Sequence, residues 1–95
     1  MDVVTKERLD KYFSLTKRAL AKAKIASEKK ISWKSAAEDF LDMAKRYYSD
    51  AEHFAKKGDV VTAFAALNYA HGWLDAGARL GLFDVGHDSE LFTVD

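Results

Sequence analysis

No proline occurs anywhere in this sequence of 95 residues, and that absence limits the fold more than any residue present. Proline is the strongest breaker of helices, because it lacks the backbone N–H and its ring clashes with the preceding turn. A helix begun by a periodic apolar stripe therefore meets nothing here to stop it early. Three such stripes are present. Leu9, Tyr12, Phe13, Thr16, Ala19, Leu20 and Ala23 recur at helical spacing in the first third. Ala37, Phe40, Leu41, Ala44, Tyr47, Tyr48, Ala51, Phe54 and Ala55 keep the same period through the middle. The third segment begins at Val60 and is apolar on almost every side, with only Asn68, Gly72, Asp75 and Arg79 plainly polar.

The expected fold is all-α, a single domain over residues 1–95 with helices at about 5–25, 35–57 and 60–80 and an apolar tail over 81–95. Ser35 followed three residues later by Glu38 has the form of a capping box, so the second helix is expected to open near Ser32 or Ser35. Between the second and third helices stands KKGD. Lysines suit the negative end of a helix, Gly58 suits a left-handed cap, and Asp59 suits the start of the next helix. So short a turn implies an antiparallel hairpin.

On the third helix the stripe Val60, Ala63, Phe64, Leu67, Ala70, His71, Leu74 and Ala78 is assigned to the contact with the second. The nearly opposite face, which includes Tyr69, Trp73 and Leu80, then needs another cover, and the third helix reads as central. The first helix is expected to pack on the hairpin and supply part of that cover. The tail brings Leu82, Phe83, Val85, Leu91, Phe92 and Val94, more apolar surface than three helices can hide. Tyr69, Trp73, Leu80, Phe83, Leu91 and Phe92 are accordingly the candidate interface residues, for a homo-oligomer or another protein partner.

Composition narrows the function classes. With 48% hydrophobic and 32% charged residues the chain is globular, and no apolar run approaches the roughly 18 residues that cross a bilayer. The opening MDVVTKERLD has no apolar leader and there is no cysteine, which reads as cytoplasmic. One asparagine, Asn68, and no glutamine beside 30 charged residues is the bias reported for heat-adapted proteins. Charge is unevenly placed: residues 1–34 hold ten Lys/Arg against four Asp/Glu, and residues 35–95 hold five against eleven. A basic first helix beside an acidic hairpin is the plainer account of this asymmetry. A nucleic-acid contact through Lys17, Arg18, Lys22, Lys29 and Lys30, with Trp33 as a stacking platform, is the sharper one.

Groups able to do chemistry are sparse. His71 and Asp75 stand one helical turn apart, with Arg79 a further turn on, and form the candidate polar site; a metal needs three or four ligands and no matching pair completes the set. No metal and no cofactor is expected. Arg46 and His53 share a face of the second helix, a spacing that resembles the ribonuclease signature of the higher-eukaryote and prokaryote nucleotide-binding bundles. Asp39, Asp42 and Asp50 crowd that face and would repel phosphate, so an Asp42–Arg46 ion pair is preferred. Gly72 and Gly77 lie inside a helix with no strand before them, which excludes a phosphate loop and suggests close approach of another helix, or a ligand slot beside Gly72 and Asp75.

The stretch KKGDVVTAFAALNYAHGWLDAGARLGLF and the ending LFTVD resemble the archaeal proteins grouped as domain of unknown function 357, over roughly residues 37–95. The run YAHGWLDAGARLGLF carries most of the likeness, and the first helix is less distinctive. The resemblance implies an archaeal, intracellular, helical protein and brings with it no activity and no catalytic residue. The functional expectation is a non-enzymatic interaction module or small assembly subunit. RNA binding or processing through the basic first third is the alternative from another class, and small-molecule binding beside Gly72 and Asp75 is the weaker third.

Overall fold

A computed structural model describes residues 4–27 and 32–92, and among them it contains three α-helices and no strand. They are α1 (Lys6–Lys22), α2 (Trp33–Lys56) and α3 (Val60–Arg79). The chain divides into two compact units, residues 1–30 and residues 31–95.

In the first unit, the Thr5 side chain accepts the Arg8 N–H at 3.1 Å and starts α1. The helix ends at Lys22, before the expected boundary near 25, because Ala23 turns to an extended conformation where the apolar stripe runs out. Every described residue of α1 is exposed, its stripe included.

The second unit is the hairpin. Ser32 rather than Ser35 caps α2, its hydroxyl accepting the Ser35 N–H at 3.3 Å. Trp33, which lies ahead of the expected span of 35–57, is therefore the first helical residue. Ser35 occupies the third helical position, where a capping-box acid would have to stand, and Glu38 lies a turn too far along. At the other end Gly58 takes φ +81°, as its place in the turn requires. Asp59 N–H reaches back to Phe54 O and Gly58 N–H to Ala55 O, both at 3.0 Å, which closes α2 in a Schellman motif. Asp59 also caps α3 by accepting the Thr62 N–H at 3.0 Å. One residue thus ends one helix and begins the next, and the antiparallel hairpin follows.

The two helices meet along small residues. Ala44 and Ala51 of α2 and Ala63, Ala70, Gly77 and Ala78 of α3 are the buried positions, and most of them recur every seven residues. A seven-residue repeat keeps one seam facing a nearly parallel or antiparallel partner. Larger rings flank the seam. Phe40 meets Trp73 edge to face with centroids 4.9 Å apart, and Tyr47 meets Tyr69 in the same way at 4.3 Å.

This arrangement corrects the assignment of faces on α3. Trp73 and Tyr69 pack on α2 instead of facing away from it, whereas Val60 and Phe64, expected against α2, are 63% and 64% exposed. The true contact face is rotated by roughly 60° at 100° per residue, because alanine lets the backbones approach where phenylalanine would hold them apart. Nor is α3 enclosed within its unit: α2 covers one face, the tail covers the C-terminal end, and Ala65, Asn68, Gly72 and Ala76 are exposed.

The tail folds back on α3 through a second Schellman motif. Gly81 takes φ +77°, Leu82 N–H donates to Gly77 O at 2.8 Å, and Gly81 N–H donates to Ala78 O at 3.0 Å. This turn lays the Phe83 ring where a side chain at residue 77 would stand. The close neighbour of Gly77 is therefore an aromatic ring from the tail and not the backbone of another helix. Farther on, Asp88 accepts the N–H groups of Glu90 and Leu91 at 3.2 and 3.0 Å, and Phe92 stacks on His71 with centroids 6.4 Å apart. Val94, the last of the apolar tail residues, lies outside the described residues.

Two substitutions test these joints. Gly58→Val forces a branched side chain into the left-handed region and is expected to lower stability by on the order of 1 kcal/mol or more, read as a fall in melting temperature. Gly77→Ala is expected to destabilise by about 1–3 kcal/mol through the clash with Phe83, although alanine is the better helix former by about 1 kcal/mol. In a Phe83→Ala background the sign should reverse, and Gly77→Ala should raise the melting temperature.

Candidate functional site

The polar group on α3 is a short row at one-turn spacing. His71 Nε2 lies 3.6 Å from Asp75 Oδ1, beyond hydrogen-bond range, with the two side chains 51% and 29% exposed. Phe92 covers one face of the imidazole. Arg79, in the last turn, is exposed and suits the negative end of the helix. Among the described residues no group of three His, Cys, Asp or Glu side chains is placed to hold a metal ion. The row offers a carboxylate beside an imidazole at a surface, an arrangement able to pair with a polar partner.

On α2, Arg46 Nε donates to Asp42 Oδ2 at 2.8 Å, both side chains well exposed. This is the ion pair expected from their spacing, and it commits to a carboxylate the cation that a ribonuclease-like reading would place on phosphate. The His53 ring rests against Phe54 at 5.4 Å.

The six candidate interface residues separate into two sets. Trp73, Tyr69, Phe83 and Phe92 are used inside the hairpin unit, against Phe40, Tyr47, Gly77 and His71 respectively. Leu80 and Leu91 have no such use and are exposed, and Tyr69, despite its contact with Tyr47, is 54% exposed as well. Burial, then the neighbouring Tyr69 and its hydrogen bond, and last Asp50, hold the Tyr47 phenol above its usual range. A shallow groove of about 260 Å³ lies beside the same rings, lined by Phe40, Asn68, Tyr69, Gly72, Trp73 and Ala76. Gly72 has nothing within 4 Å of where a Cβ would stand, so the groove opens to solvent there. Of the pair named for a small molecule, the groove takes in Gly72 and not Asp75.

Lys17, Arg18 and Lys22 are exposed on α1, where Arg18 Nε donates to Ser14 O at 3.4 Å. Lys29 and Lys30 lie outside the described residues, and Trp33 opens α2 in the second unit.

Sequence reasoning overlooked the exposed apolar side chains. Val60, Phe64 and Leu67 on α3, and Leu41 and Tyr48 on α2, face outward, as do Leu9, Tyr12, Phe13 and Leu20 on α1. The signal for those on the hairpin was the seven-residue recurrence of alanine, which marks the seam and by subtraction the open faces.

Neither a curated protein nor a solved structure matches the chain. The family described as "Protein of unknown function (DUF357)" matches residues 11–83, beginning within α1, earlier than the likeness read from the hairpin, and ending at the Phe83 ring over Gly77. That span covers most of both units, and the chain belongs to the family of domain of unknown function 357.

Proposed function

We propose that this protein is a non-enzymatic helical interaction module that associates with other protein chains, its own copies first among them. The observation that carries the reading is the exposure of large apolar side chains in both units: Phe13 and Leu20 on α1 at 67% and 73%, and Phe64 and Leu80 in the hairpin at 64% and 68%. A soluble chain of this size gains stability by covering such residues, since each large side chain removed from water contributes about 1.5–3 kcal/mol. A cytoplasmic setting and an archaeal, heat-adapted source belong to the same reading. Support for them comes from the charged composition with one asparagine and no glutamine, and from the finding that no described helix is long and apolar enough to cross a membrane.

RNA binding is the second reading, supported by the exposed cations of α1, where six Lys/Arg stand against two Asp/Glu between Lys6 and Lys22. A phosphate-driven contact weakens steeply with salt, so a gel shift at two salt concentrations separates it from an apolar one.

Static light scattering at micromolar concentration is expected to give a mass above the 10.7 kDa of one chain, falling toward that value on dilution. Leu20→Glu should shift the balance to the single chain while circular dichroism still shows the helical hairpin. A mass of one chain for both proteins contradicts self-association.

A further inference from the structure

We draw no further inference here: the strongest candidate, the shallow groove between α2 and α3 lined by Phe40, Tyr69, Gly72 and Trp73, is an unpartnered apolar surface, and nothing in the structure shows what covers it.

Discussion

The packing of α2 and α3 along alanine is the interaction on which the rest of this structure depends. Ala44, Ala51, Ala63, Ala70 and Ala78 are each no more than 8% exposed, and they are the whole of the buried apolar set among the described residues. Small side chains let two backbones come near and make many weak dispersion contacts at once, while each removes little area from water. The edge-to-face pairs Phe40–Trp73 and Tyr47–Tyr69 then add the larger areas at the margin of the seam. Tight ends hold the register. Gly58 and Gly81 both enter the left-handed region, and Asp59 closes one helix while opening the other.

A seam of this kind determines what happens to the large side chains. Space between the helices is filled by methyl groups, so phenylalanine, leucine and valine on either side are pushed outward. Phe64 and Val60 are the clearest cases. On the first unit α1 presents the same problem in simpler form, an amphipathic helix whose stripe is bare. Small domains bury a low fraction of their surface and are correspondingly marginal, which is the physical reason to look for the remaining stability between chains. The proposed function follows from that deficit.

Much of this was legible in the sequence, and the exceptions have physical causes. Helix number, the hairpin, the left-handed Gly58 and the Asp59 cap of α3 follow from local rules that need only a few neighbouring residues, whereas the part Asp59 plays in closing α2 emerges from the structure. The Arg46–Asp42 pair follows from one-turn spacing in the same way. The facing side of α3 was legible only in part: the assigned stripe held Ala63, Ala70 and Ala78, which are buried, but a helix apolar nearly all round has no sharp amphipathic direction, and the stripe also took in Val60 and Phe64, which are exposed, and left out Trp73 and Tyr69, which pack on α2. The recurrence of small residues at sevens was the better guide. Gly77 was also ambiguous: a glycine in a helix can admit a backbone or a ring, and only the second Schellman turn shows that Phe83 is what arrives. In the candidate polar site the His71–Asp75 spacing was readable, while the stacking of Phe92 was not, since the tail has no periodicity to fix its path.

The central claim, that the hairpin is set by the width of its alanine seam, is tested most directly by widening it. Ala70→Leu adds apolar area that would stabilise an underpacked interface and strain a close one. Urea unfolding of this variant beside the unmodified protein is the measurement. The account predicts a loss of about 1–3 kcal/mol from overpacking, seen as a lower midpoint. A midpoint that is unchanged or raised would show that the helices have room to spare, and would contradict the seam as the constraint on the fold.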